Sequence, residues 1–213
     1  MKASDPLIHK GVFGYNDISG VSFHLNYTSN RPILYLSRGA NQRFHTYFND
    51  TSAQDDGQWH HWMIYQSVTD ASTSKLFVDG VSIGVESSVD DGPAGNDLGL
   101  WSMDEHLTGL NIGSYRDSGH SAVQHFEGSM TNFAVLSGDK TANVSSHYNN
   151  GIPNKDLSGE SGLLGYWKMD DNSGSTVTDY SGNGNHGTLE SSNDNVDIPK
   201  WISFEVSDEG NIR

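Results

Sequence analysis

The stretch "SKLFVDGVSIGV", residues 74–85, sets Asp79-Gly80 between two runs of apolar residues. A type I′ turn needs positive φ at both central residues, which Asp-Gly accepts at little steric cost, so the stretch reads as a β-hairpin. Upstream, "GVSFHLNYT" (20–28) and "RPILYLSR" (31–38) are short runs rich in β-branched and aromatic residues on either side of a polar break, and read as neighbouring strands. "QRFHTYFND" (42–50) alternates, with Phe44, Thr46 and Phe48 on one face and His45 and Tyr47 on the other. "QWHHWMIYQSV" (58–68) reads as a further strand. Its alternation turns His60 and His61 to opposite faces, and Trp59 and Trp62 likewise.

Downstream, "VDDGPAGND" (89–97) is a loop by composition, and a strand is expected around Leu110 to Ile112. "QHFEGSMTNFAVLS" (124–137) is expected as a strand pair or a bent strand. "DKTANVSSHYNNG" (139–151) reads as a short helix, with Asp139 or Thr141 as its cap and Gly151 as its close. Strands of this length and spacing imply an all-β fold, an antiparallel β-sandwich.

Composition agrees with that class. The 213 residues suffice for a single large β-domain, and 5 Trp, 9 Tyr and 8 Phe supply bulky core material although only 34% of the chain is apolar. Glycines number 24 against 5 prolines, which suits tight turns rather than a proline-rich linker. A net charge of −15 repels phosphate backbones and anionic bilayers, so nucleic acid is not an expected partner. The absence of Cys removes disulfides, thiolate metal sites and Cys nucleophiles. No run of 18 apolar residues marks a membrane span, and "MKASDPLIHKG" has no apolar signal core.

In order along the chain, "PLIHKG", "DGQWHHWMIY", "KLFVDGVSIG", "LNIGSY", "FEGSMTNFAVLS" and "SSHYNNG" together resemble the laminin-G-like, concanavalin A-like jelly-roll domains. The later "YWKMDDNSGSTVTDYSGNGNHGTL" (166–189) is similar to a segment common in the same family, of the kind found in marine bacteriophage structural proteins. The resemblance implies a jelly-roll sandwich over residues 1–158 and a role in recognition. A glycan or host-surface receptor is the implied partner, other virion subunits are a second, and the implied location is a virion or an extracellular surface. Two departures stand out. The strands that normally precede a K-x-S stretch are missing ahead of "KASDPL", and the "GYWKMDD" segment, which often opens such domains, follows the sandwich here. The expectation is a fragment or a permuted arrangement. Residues 159–213 would then form strands and a Gly-rich segment covering an edge of the same sandwich, or of a neighbouring subunit in a homo-oligomer.

The Gly/Asn-rich run admits two readings. Asp179, Asn185, Asp170 and Asp171 offer side-chain oxygens, and Gly182 and Asn183 offer carbonyls in sharp turns, a set suited to Ca²⁺, which takes six to eight oxygens. The other reading is a series of turns with left-handed residues. Asp90, Asp91, Asn96 and Asp97 form a second acidic loop. For glycan binding, Trp101, Tyr115, Arg116, Asp117 and His120 lie in or beside loops and offer an aromatic platform with polar neighbours. The alternative makes Trp101 a core residue. A glycosidase on this fold would need two opposed carboxylates, yet Glu86, Glu127 and Glu205 are isolated and Asp104-Glu105 are adjacent, so a non-enzymatic module is expected.

Overall fold

The computed structural model describes residues 2–3, 11–16, 21–28, 31–38, 43–51, 56–67, 70–91, 110–116, 123–152, 155–189 and 200–202. These residues are mostly strand, every strand pairing among them is antiparallel, and the chain divides into two compact units, Met1–Ser129 and Met130–Arg213. Among the described residues no helix is long and apolar enough to cross a membrane.

The first unit runs β1 (Lys2–Ala3), β2 (Gly11–Asn16), β3 (Val21–Thr28), β4 (Arg31–Arg38), β5 (Arg43–Phe48), β6 (Trp62–Tyr65), β7 (Lys75–Val78), β8 (Val81–Ile83) and β9 (Val85–Asp91). It continues with β10 (Asn111–Ile112), β11 (Ser114–Arg116), β12 (Val123–His125) and β13 (Gly128–Ser129). Six strands form one sheet in the order β10-β2-β3-β4-β5-β9, in which β2 to β5 are a meander. The expected neighbours "GVSFHLNYT" and "RPILYLSR" pair along their whole length, from Val21↔Arg38 to Thr28↔Arg31. Their partner β5 keeps the expected alternation: Thr46 and Phe48 are buried and His45 and Tyr47 only half so. Ile33 and Leu34 are both buried, as β4 requires with strands on either side and cover on both faces.

A three-stranded sheet, β6-β7-β8, contains the expected hairpin. Val78 pairs with Val81, and Asp79 and Gly80 take φ of 52° and 78°, the two positive values a type I′ turn demands. Leu76 and Val78 point into the core. The connection from β6 to β7 carries a 3₁₀ turn, Ala71–Thr73, capped by Asp70, and the buried Thr46 hydroxyl donates to Ala71 O at 2.8 Å. That bond fastens the turn to β5. Gly84 then takes the chain back to the larger sheet. Its carbonyl accepts from Asn49 N at 2.9 Å, and a Cβ there would stand 2.8 Å from the Asn49 side chain.

Two expectations need correction. His60 and His61 precede β6 rather than lying on it, because the Asp79 side chain holds both: His60 Nδ1 is 2.6 Å from Asp79 Oδ2, and His61 N donates to Asp79 Oδ1 at 2.8 Å. Asp90 and Asp91 belong to β9, an edge strand paired with β5, and not to a loop; Asn96 and Asp97 lie outside the described residues.

The second unit contains β14 (Phe133–Leu136), a short helix α1 (Val144–Tyr148), β15 (Leu163–Trp167), β16 (Thr176–Val177) and β17 (Gly187–Thr188). The helix is shorter than expected: a 3₁₀ turn, Thr141–Asn143, precedes it, Asn143 rather than Asp139 or Thr141 is its N-cap, and Asn149 is its C-cap, followed by a second 3₁₀ turn, Asn149–Gly151. Asp139 Oδ1 accepts from Thr141 N at 2.8 Å, and after the left-handed Asn149, Gly151 closes the segment with φ of 81°. β14 pairs with β15 in the register Phe133↔Trp167, Ala134↔Tyr166 and Val135↔Gly165. The expected boundary at 158/159 therefore falls inside this unit. Tyr166, Trp167, Val177 and Leu157 form its buried apolar centre.

Candidate functional site

β15 has one edge on β14 and one edge facing the Gly/Asn-rich run. Successive strand residues present their amides and carbonyls alternately to the two sides, so Leu164 and Tyr166 turn toward the run. Each of the turned groups whose partner is resolved is met by a residue of the run. Asp179 Oδ1 accepts from Tyr166 N at 2.9 Å, and Tyr180 N donates to Tyr166 O at 2.7 Å. Leu164 O accepts from Asn183 Nδ2 at 3.0 Å and from Asn185 Nδ2 at 3.1 Å, and Asn183 Nδ2 also reaches Leu163 O at 3.1 Å. Trp167 Nε1 donates to Asn185 O at 2.8 Å. The run thus closes the sheet edge with a single backbone bridge, Trp167↔Asp179, and otherwise with side chains in place of a full strand.

Asp179 is the hub of this closure. It is 6% exposed, and besides Tyr166 N its carboxylate accepts from Ser181 N, from the Ser181 hydroxyl and from Asn185 N, at 2.8 to 2.9 Å. Its own amide donates to His186 Nδ1 at 3.1 Å. Burial pushes the carboxyl pKa up, but the bonds from Ser181, Tyr166 and Asn185 more than offset that and leave it below the usual value. Gly182 and Gly184, with φ of 88° and 76°, supply the left-handed turns between the side chains that bond to β15.

Of the residues proposed as calcium ligands, Asp179, Gly182, Asn183 and Asn185 share this loop. Asp170 and Asp171 follow β15. Their chemistry here is hydrogen bonding. A carboxylate has about four acceptor positions, and protein donors fill those of Asp179. Asn183 and Asn185 present their amide nitrogens to β15. Asp171 accepts from the amide and hydroxyl of Thr178. Among the described residues no group of three or more His, Asp or Glu is gathered to hold a metal. A cation at Asp179 would have to displace donors already in place.

Of the residues proposed for glycan binding, Trp101, Asp117 and His120 lie outside the described residues. Tyr115 and Arg116 are placed on β11, paired with Gln124 and Val123. The sequence reading missed Tyr180. It is 38% exposed, Lys168 Nζ stands 4.6 Å from its ring centre, and its hydroxyl lies 3.5 Å from Asp170 Oδ1. Asp170, with Asp171 and slight burial adding to it, pushes the Tyr180 phenol above its usual value. An exposed ring with an ammonium over one face and a carboxylate at its tip is the kind of amphipathic surface a sugar ring meets. Its signal in the sequence was position, an aromatic directly after the Asp that anchors the turns.

A second polar cluster lies in the first unit. His60 Nε2 is 3.0 Å from Asp56 Oδ1 while Nδ1 faces Asp79, so both ring nitrogens address carboxylates. Burial pushes the His60 pKa down, but Asp79 and Asp56 outweigh it and leave the ring above its usual value. Only a ring protonated on both nitrogens donates to both acids. The cluster is a clasp on the Asp79-Gly80 turn. Compared with protein-family models, with curated proteins and with solved structures, the chain matches none.

Proposed function

We propose that the chain is a non-enzymatic, lectin-like binding module of the laminin-G-like, concanavalin A-like kind, with a jelly-roll sandwich, and that it recognises carbohydrate on a host or partner surface as part of a bacteriophage structural protein. The observation that carries the binding reading is Tyr180, an exposed ring flanked by Lys168 and Asp170 on a loop whose backbone is tied down by Asp179. Pre-ordering matters because a loop already fixed loses little entropy when a weak ligand such as a sugar binds. On the same loop Asp171, Asp179, Asn183 and Asn185 hold main-chain groups with their side chains, which favours recognition over acid–base chemistry. The antiparallel meander of β2 to β5, with a smaller sheet returning to it through Gly84, is what a sandwich of this family would contain.

A glycan array with the purified protein tests this. Saturable hits that disappear in Tyr180→Ala, with an unchanged melting midpoint, support the proposal. A blank array at high valency favours the competing role, a virion decoration module whose surfaces meet neighbouring subunits. Release of reducing sugar from a polysaccharide panel would replace both with a glycosidase.

A further inference from the structure

Asn183 precedes Gly184, and both are exposed. An Asn-Gly pair is chemically vulnerable, because no Cβ on the glycine hinders its backbone nitrogen from attacking the asparagine side chain. Built at Gly184, a Cβ would have nothing within 4 Å, so no neighbour shields the position either. Yet in the closed loop the Asn183 amide is held away from that attack, donating to Leu163 O and Leu164 O, while its backbone N donates to Ser181 Oγ at 3.2 Å. We propose that Asn183 is a spontaneous modification site gated by opening of this loop, and that its deamidation makes the opening permanent.

The chemistry balances with water alone. Once the loop opens, the Gly184 nitrogen gives its proton to hydroxide and attacks Asn183 Cγ. The Cγ–Nδ2 bond breaks, and Nδ2 leaves as ammonia with a proton from water. Water then adds to either carbonyl of the resulting imide and cleaves its C–N bond, leaving an aspartyl or isoaspartyl residue at position 183. Nothing is oxidised or reduced. The consequence follows from the contacts: a carboxylate has no hydrogen to donate, so the two β15 carbonyls lose that partner and face a negative charge instead. The loop cannot close as before: Leu164 O keeps only its other donors, such as Asn185 Nδ2, and the Leu163 end of the β15 edge is left available for pairing. Asn185 makes a similar bond to Leu164 O but precedes His186, whose side chain hinders the attack, so it serves as an internal control.

The test is peptide mapping of the full-length chain during incubation at mildly alkaline pH, folded and in urea. Conversion at Asn183 is expected to be roughly tenfold or more slower in the folded protein, the retardation that two lost hydrogen bonds impose on local opening. In urea it should outrun Asn185. The converted protein and Asn183→Asp should both melt earlier than wild type and elute as larger species on size exclusion. Equal rates folded and unfolded would overturn the gating. An Asn183→Asp variant with wild-type melting and elution would overturn the consequence.

Discussion

Replacing Asp179 should weaken the second unit in a graded way set by which donors lose their acceptor. In Asp179→Ala the amides of Tyr166, Ser181 and Asn185 and the Ser181 hydroxyl all lose it. Ser181 can turn its hydroxyl to solvent, but Tyr166 is fully buried and its amide has nowhere to go. A buried donor left unpaired costs about 1–3 kcal/mol, and a hydrogen bond to a charged acceptor contributes about 1.5–3 kcal/mol, so the whole loss comes to roughly 3–5 kcal/mol. That is a large part of the stability of a small domain, typically about 5–15 kcal/mol. Asp179→Asn should do less harm. Its remaining oxygen can serve Tyr166 and Ser181 N, the new amide can donate to the Ser181 hydroxyl, and only Asn185 N is stranded, for roughly 1–2 kcal/mol. Urea unfolding followed by tryptophan fluorescence, to which Trp167, buried beside this loop, contributes, measures both. An Asp179→Ala cost below about 1 kcal/mol, or an Asn variant as damaging as the Ala variant, would refute the hub.

The Asp179 carboxyl sits below its unfolded value, so its contribution is complete above about pH 4 and is lost as pH falls through the folded value; an acid melt series should lose this dependence in Asp179→Asn. The His60 clasp has the opposite sign. Because Asp79 and Asp56 raise the ring, its stabilisation is complete below about pH 6.5 and disappears as pH rises through the higher folded value, and a His60→Gln variant with the same pH profile as wild type would remove the clasp. Chelator followed by added calcium should leave the melting midpoint unchanged, since protein donors occupy the Asp179 acceptors; a calcium-induced rise abolished by Asp179→Ala would restore the metal reading. Gly165→Ala should cost at least about 1–3 kcal/mol, because a Cβ there overlaps the Trp167 ring, and unfolding in urea indistinguishable from wild type would show that Trp167 can move aside.

The hairpin was legible because Asp79-Gly80 specifies its own backbone, and β5 because the alternation of Thr46 and Phe48 is local. The short helix was legible in type and place because Asp139 and Gly151 act within a few residues, but its ends were not, since 3₁₀ turns take the residues on either side of Val144–Tyr148. What stayed hidden depends on contacts distant in sequence. His60 and His61 continue an apolar run and look like strand, but the Asp79 side chain, brought round by the hairpin, binds them before β6 begins. β9 hides behind its polar residues, since an edge strand can be held by its ladder to β5 while its side chains face water. In the Gly/Asn-rich run the residue types were visible and the direction of their bonding was not. An Asn offers an oxygen or an amide, and only the position of the β15 carbonyls selects the amide.

That selection explains why the run is rich in Gly and Asn at all. Closing an edge with another strand creates a new edge, whereas closing it with side chains ends the sheet. The primary amide of Asn resembles the peptide group it replaces, and a carboxylate can accept several amides at once, so Asp179, Asn183 and Asn185 reproduce the partners a neighbouring strand would bring. The left-handed turns at Gly182 and Gly184 let the intervening chain fold tightly enough to bring Asn183 and Asn185 back onto β15. Tyr180 serves the cap through its backbone, by the bond to Tyr166 O, while its ring, edge-on to Tyr166 and beside Lys168 and Asp170, stays partly exposed. Under the proposed recognition role, edge closure and ligand contact would fall on different atoms of one loop, so that the ring could change with a ligand while the cap keeps the fold.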